Sequence, residues 1–387
     1  MAVRWRVLGL LFLVRMTMAF QFQLVGALSP EFQEAFAVSI ADIGVLIGLY
    51  FTPGLFLAAP GGALGRRFGD KQVVLVGLAL MTVGGALMAA SELWAGQLAG
   101  RFIAGLGGVL LNVLMTKMVA DWFAGKEISF SLAVFVNSWP VGIAVALIVL
   151  PLVAGAGGLT SALTLVAALT AAGFVGLALF YRPPVKANAG VSAPSDRVRG
   201  AVLGAVLAAG AIWGLYNAAL SIVFSFGPQL FVAKGMALAQ AGSVTSIVLW
   251  LLAIVGSFAG FLVDWTGRRY LILVVGNLGF AMFVFVGSWT EQVMANIIAM
   301  GLFSGVAVGA MISLPSLVLS PGVRAVGMGI FFTVFYFCAT VGPMLAGWIA
   351  NLTGDIASTY QFAVALLIAS VLALPIYHRL AVRARAE

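Results

Sequence analysis

Hydrophobic positions in this chain come in long blocks. Apolar runs fall at about 6–28, 41–63, 72–91, 94–120, 128–153 and 158–181, then at 201–226, 241–263, 270–289, 292–317, 326–350 and 358–378. A helix needs ~20 apolar residues to cross ~30 Å of hydrocarbon. Helices are also the open-ended way to satisfy backbone polar groups there. The pattern therefore predicts an all-α membrane protein with twelve transmembrane helices. The breaks carry turn chemistry: SPEF, RRFGDK, FAGKE, FGPQ, TGRR and SPGVR.

Composition excludes a water-soluble fold. Apolar residues make up 63% and charged residues 8% of the chain, against ~45–50% and ~25% in ordinary domains. That much apolar surface exceeds what a soluble core hides. The single Cys338 excludes an internal disulfide. The N-terminal MAVRWRVLGLLFLV has the basic edge and apolar run of a signal peptide. However, Arg15 interrupts the run and VGA before Leu28 is a poor cleavage site, so an uncleaved first span is expected.

The net charge of +8 invites a nucleic-acid reading, but the placement of the charges removes it. One side of the predicted membrane carries Arg4, Arg6, Arg66, Arg67, Lys71, Lys126, Arg182, Lys186, Arg197, Arg199, Arg268, Arg269, Arg324, Arg379, Arg383 and Arg385. Lys117 lies at that side's edge, four residues before Asp121, on one helix face. The other side carries Lys234 against Glu31, Glu34, Asp42, Glu92, Glu291 and Asp355. The positive-inside rule then places both termini in the cytoplasm, and a bacterial inner membrane is the expected location. The basic balance follows from topology, and no nucleic-acid partner is implied.

The chain repeats itself. GALGRRFGDK (62–71) follows the second span and GFLVDWTGRR (260–269) the eighth, an offset of 198 residues. Pro140 in NSWPVG and Pro343 in TVGPMLAG mark the fifth and eleventh spans at an offset of 203. Two landmarks at nearly one offset predict two six-helix bundles, 1–181 and 201–387. They are joined by the polar linker 182–200, RPPVKANAGVSAPSDRVRG.

At these residues the chain resembles the major facilitator superfamily of secondary transporters. The family's loop motif, Gly-x-Leu-Ala-Asp-Arg-x-Gly-Arg-Lys, is matched at Gly260, Leu262, Asp264, Gly267, Arg268 and Arg269. LAGRFIAGLGG in the fourth span resembles the family's buried-arginine motif at Arg101, Gly105 and Gly107. The first copy of the loop keeps Gly62, Leu64, Arg67 and Gly69 but reverses the charges, with Arg66 in the aspartate slot and Asp70 in an arginine slot. In the family this loop helps latch the two halves on the cytoplasmic side. Here a salt-bridged loop with different partners is expected, and an Arg66–Asp70 charge swap would test it. RFIAGLGGVLLNVLMTKMVADWF followed by NSWPVG resembles the cyanate and nitroimidazole permease branch. The nitrate/nitrite porters place an arginine in spans two and eight, and neither span has one here.

Two arginines lie inside spans. Arg15 is nine residues beyond Arg6, ~13 Å into the membrane at 1.5 Å per residue. Arg101 reaches a similar depth from the other face. A guanidinium there costs ~2.5–3.5 kcal/mol on insertion scales, so both should face protein or water. Every acid in the sequence falls at a span end, in a loop or in a tail. Partners are then expected among carbonyls, amides, hydroxyls, water or an arriving oxyanion, which a guanidinium binds in a fork. A first-span arginine also binds the anion in the organophosphate and organic-anion transporters, which the position of Arg15 resembles.

Asn112, which shares a face with Arg101, Gly105 and Gly108, is a candidate pocket residue. So is Gln23, within about 80° of Arg15 on a helical wheel. Asn137 and Ser138 precede Pro140, where the helix should bend and free backbone groups. Trp213, Tyr216 and Asn217 of WGLYN share a face in the seventh span, and Tyr336 sits in the eleventh. Each has a plain alternative role in packing or interhelical hydrogen bonding, and close helix packing is the expected role of the fourth-span glycines. Pro343 should bend the eleventh span as Pro140 does the fifth.

No metal-ligand cluster, phosphate-binding loop or nucleophile–base set is present, so neither an enzyme nor a cofactor is expected. The expected function is transport of a small anionic solute by alternating access, by a monomer in the lipid bilayer. The competing readings are a proton-driven exporter of drugs or apolar metabolites and a receptor built on a transporter fold. The first is disfavoured by the lack of midplane carboxylates, the second by the absence of a signalling domain.

Overall fold

The computed structural model describes residues 3–124, 127–184, 198–320 and 323–386. Lys126, Lys186, Arg197 and most of the predicted linker lie outside them. In the first half α1 (Val3–Ala27) leads into the short α2 (Ser29–Phe36). The second span is built from α3 (Ile40–Leu49) and α4 (Gly54–Phe68). Next come α5 (Asp70–Ala90), α6 (Trp94–Trp122), α7 (Ile128–Val136) and α8 (Ser138–Phe180). The second half comprises α9 (Gly200–Ala233), α10 (Leu238–Thr266), α11 (Arg269–Gly287), α12 (Val293–Ile312), α13 (Arg324–Thr353) and α14 (Ala357–Ala386). A 3-10 turn at Pro315–Leu317 precedes α13.

Among the described residues, eleven stretches are long and apolar enough to span a bilayer. The longest, Phe130–Phe180, has 51 residues, ~75 Å of helix and enough for two crossings of ~30 Å. Its chain direction changes at Gly158, where φ is 77° and ψ 175°, a conformation that residues with a Cβ rarely adopt. The twelve predicted crossings are thus accommodated, with the fifth and sixth joined end to end.

Two compact units emerge from the packing. One holds Met1–Val38 and Leu49–Gly190, the other Ser39–Gly48 and Val191–Glu387. In the first, α1 packs along α8 and α5 along α6. In the second, α9 packs along α13 and α14, and α10 along α12. Glycines set the α5–α6 approach. A Cβ on Gly84 or Gly107 would strike the carbonyl of Gly100 or Gly77 respectively, so these backbones touch directly. Ser39–Gly48, the outer part of the second span, groups with the second unit, where a Cβ on Gly44 would meet the Pro343 carbonyl at 2.5 Å.

Candidate functional site

Arg15 lies near the middle of α1 and is 8% exposed. Its Nη2 donates to Asn112 Oδ1 on α6 at 2.9 Å, and its Nη1 donates to the Phe135 carbonyl at 3.2 Å and the Val136 carbonyl at 3.5 Å. The Phe135 ring lies 4.8 Å from the guanidinium carbon. Pro140 makes the Val136 carbonyl available. Having no N–H, it cannot donate to the carbonyl four residues back, and the helix breaks at Asn137 between α7 and α8. Ser138 Oγ also donates to the Phe135 carbonyl, at 2.6 Å. The proline, the break and the arginine form one local arrangement.

Arg101 on α6 is fully buried. Its Nη1 donates to the Gln21 carbonyl, and its Nη2 to the Phe22 carbonyl at 2.7 Å, both on α1. Tyr50 and Phe22 lie over the guanidinium at 4.6 and 5.5 Å. Phe51 and Trp139 complete the aromatic wall, with Phe22 ring centroids 4.7 Å from Phe51 and 5.4 Å from Trp139. Gly105 and Gly108 admit Tyr50: a Cβ on Gly105 would collide with its carbonyl, and one on Gly108 with its hydroxyl at 2.6 Å. Arg101 therefore fastens α6 to α1 inside a closed aromatic shell. Composition and spacing singled out the arginine, but nothing in them pointed to Tyr50 as its cover.

The remaining sequence candidates divide. Asn112 joins Arg15, and Asn137 lies at the helix break beside its carbonyl partners. Gln23 is fully buried, in a stretch of α1 that is enclosed beyond Met18. Gln21, not among the sequence candidates, donates from its amide to the Met81 carbonyl at 2.7 Å. In the second unit Tyr216 is 1% exposed and its hydroxyl donates to the Ser304 carbonyl at 2.6 Å, tying α9 to α12. Asn217 donates back to the Trp213 carbonyl at 2.8 Å within α9. Trp213 stacks on Tyr216 with centroids 6.0 Å apart, and Tyr336, 1% exposed, packs on Phe335 at 5.0 Å. Unlike Pro140, Pro343 sits inside an unbroken α13.

The family model described as Major Facilitator Superfamily matches residues 11–232 and again 201–386, nearly the whole chain. The chain belongs to the major facilitator superfamily. Its relatives include the inner membrane transport protein YajR of Escherichia coli, 26% identical over 88% of this chain and 77% of that protein. Protein spinster homolog 3 of Danio rerio is 29% identical, over 33% of this chain and 26% of its own length. Among solved structures, a bacterial homolog of the human lysosomal transporter spinster, inward-facing and occupied, superposes with a TM-score of 0.82 at 15% identity, covering 99% of this chain and 97% of that one. The nucleoside transporter NupG gives 0.74 at 14%, covering 96% and 99%. The chain is thus a multi-pass membrane transporter and not an enzyme.

The superfamily's loop motif behaves differently in its two copies. In the first, Asp70 pairs with Lys117 at 2.5 Å, and Lys117 lies 3.9 Å from Asp121. Arg66, expected to pair across the reversed motif, is exposed at the end of α4, and Lys117 takes its place as Asp70's mate. Lys71 donates to the Ala178 and Tyr181 carbonyls at 2.9 and 2.8 Å, closing the C-terminus of α8. Gly62 and Arg67 flank this region on α4, while Gly69 (φ 86°) turns the chain into α5. In the second copy Gly267 (φ 65°) stands at the matching place before α11, in the left-handed helical conformation, beside Gly260, Asp264, Arg268 and Arg269. At the other end of this unit, Lys234 donates to the Gly287 and Thr290 carbonyls at 2.9 and 3.0 Å, and burial holds its pKa below the usual lysine range.

Proposed function

We propose that this transporter moves a small anionic solute by alternating access, with Arg15 as the anion-binding residue and Asn112 and Asn137 beside it. The observation that carries this reading is the setting of Arg15. Among its acceptors, the Asn112 amide and the Phe135 and Val136 carbonyls are neutral. Dipoles lower the cost of burying a guanidinium without cancelling its charge. Every acid of the sequence lies at a span end or beyond, so the first bundle keeps a positive centre at mid-depth. The Arg15 donor is already charged, so an oxyanion that displaces a neutral acceptor adds ion-pair attraction and a forked contact to it. Transporters of this architecture hold substrate near the midplane and expose it by rocking one repeat against the other.

The two bundles are 1–181 and 201–387, joined by 182–200. The protein works as a monomer, with both termini on the cytoplasmic side of a bacterial inner membrane. The lack of acids at mid-depth favours exchange of one anion for another, or uptake with protons carried by water or substrate. A lone anion entering would be opposed by ~2.3 kcal/mol per 100 mV of inside-negative potential.

The test is thermal stabilisation of the purified protein against a panel of inorganic and carboxylic anions, with neutral and cationic compounds alongside. An anion is expected to raise the melting temperature of the wild type, and Arg15→Gln to abolish the shift while still folding. Stabilisation by neutral or cationic compounds alone would replace this reading with that of an exporter.

A further inference from the structure

The two copies of the loop motif place matching residues in unlike surroundings. At the offset of 198 residues Arg268 stands where the first copy has Asp70, and Arg269 where it has Lys71. Lys71 finds its acceptors because α8 ends at Phe180 and leaves carbonyls for it. The counterpart helix α14 does not end at the matching level. It runs on to Ala386, so its carbonyls there serve its own helix. Asp70 finds Lys117, but the residue at the same offset from Lys117 is Pro315, the start of the 3-10 turn. Among the described residues, the arginines of the second copy therefore have no counterparts to the partners that neutralise or anchor Asp70 and Lys71 in the first.

Between these elements lies a cleft of about 480 Å³, lined among others by Asp264, Arg268, Arg269, Tyr270, Leu317 and His378. Tyr270 packs edge-on against His378 with centroids 5.4 Å apart, which fixes the wall shared by α11 and α14. The Nε of Arg269 is buried and meets no acceptor among the described residues. The cleft also sits at the start of the 19-residue α11, whose first N–H groups point outward and favour an anion. Two guanidiniums outweigh the single carboxylate of Asp264, and they hold their charge at every accessible pH. Its edge carries apolar side chains: Leu271 of the lining is 52% exposed, and Trp265, next to Asp264 in the chain, is 76% exposed, the placing of side chains that meet lipid at an interface.

We propose that this cleft is a phosphate site, taken by the phosphate of an anionic phospholipid, with Arg268 and Arg269 as its ligands and His378 as its wall. The apolar rim favours a phosphodiester carried on acyl chains over free phosphate, while the recognition chemistry is common to both. The site is separate from Arg15, so it stands whether or not the transported solute is an anion.

The full chain, purified in a zwitterionic detergent, is tested by native mass spectrometry with added phosphatidylglycerol or phosphatidylcholine. A parallel thermal-shift arm uses inorganic phosphate. The wild type is expected to retain phosphatidylglycerol preferentially, and Arg268→Gln/Arg269→Gln to weaken that retention about tenfold or more, from two lost charge-assisted bonds, without changing phosphatidylcholine. Asp264→Asn should tighten phosphatidylglycerol, a gain that misfolding cannot produce. Stabilisation by millimolar phosphate that the double variant loses, without preference for phosphatidylglycerol, supports the phosphate chemistry and assigns it to a free ligand. Equal retention of phosphatidylglycerol by wild type and double variant, with no phosphate effect, overturns the proposal, as does a weaker complex in Asp264→Asn.

Discussion

Replacing Arg101 by lysine removes the planar fork. The guanidinium serves two adjacent carbonyls of α1, those of Gln21 and Phe22, under the rings of Tyr50 and Phe22 and with no solvent exposure. An ammonium on a shorter stem holds one of these carbonyls well. Losing the second charge-assisted bond costs ~1.5–3 kcal/mol, and weaker stacking on two aromatic faces ~0.5–2 more. Both carbonyls also lie in a helix whose own donors remain, which keeps the sum near the lower end, about 2–3 kcal/mol. Thermal unfolding in mild detergent should show a melting temperature several degrees lower. Affinity for the transported anion, measured on the folded fraction, should stay within about twofold, since Arg15 is untouched. A variant as stable as wild type that no longer responds to the anion would refute this account, because Arg101 would then be contacting substrate and not holding two helices together.

Four further outcomes follow from the same geometry. Asp70→Lys with Lys117→Asp should recover stability and transport lost in either single variant, whereas Arg66→Asp with Asp70→Arg should not; the partly exposed pair is worth ~1 kcal/mol, read as melting temperature and uptake in vesicles. Gly105→Ala pushes a Cβ into the Tyr50 carbonyl and should cost ~1–3 kcal/mol. Gly62→Ala, whose Cβ meets nothing within 4 Å, should be neutral or stabilise by up to ~1 kcal/mol. Glu31, in the first turn of α2, has its pKa raised by burial and, to a lesser degree, by Glu34, against a lowering backbone hydrogen bond. Its contribution to stability is therefore fully present below about 4.5 and lost as pH rises through the higher folded-state value. Glu31→Gln should melt above wild type at pH 7, with the gap closing towards pH 4; a gap that widens on acidification would contradict the shift.

Legibility followed the range of the interaction. The spans were readable because lipid imposes a ~20-residue apolar block on each crossing, and the repeat because its loop residues recur at one offset. The turn at Gly158 was half legible: the apolar runs stop at 153 and resume at 158, yet no polar residue marks the change of direction. The division of the second span at Pro53 left less trace, lying inside one apolar run. Arg15 and Asn112 could be nominated from depth and helical face, and the structure joins them. The acceptors of Arg101 could not, because every residue has a backbone carbonyl and its use leaves no mark in the sequence. Asp70's partner was missed for a similar reason. Lys117 is 47 positions away, and its spacing to Asp121 offered a sufficient local explanation.

Arg15 and Arg101 fall at comparable expected depth in one bundle, so depth alone does not explain why we propose the first as the anion site and the second as a fastening. Their neighbours do. Arg101 meets α1 where that helix is continuous, and glycines bring Tyr50 down over it, so its shell is closed on all sides. Arg15 meets a helix that Pro140 has broken, and its carbonyls belong to the last turn before the break. A continuous helix holds its carbonyls by hydrogen bonds on both sides, whereas Val136 has lost the donor that would fix its own. The Val136 contact at 3.5 Å is longer than those to Phe135 and Asn112, at 3.2 and 2.9 Å, and more readily exchanged than either. A proline four residues downstream thus does for Arg15 what the aromatic shell prevents at Arg101: it leaves a buried cation held by an acceptor that a stronger one can replace.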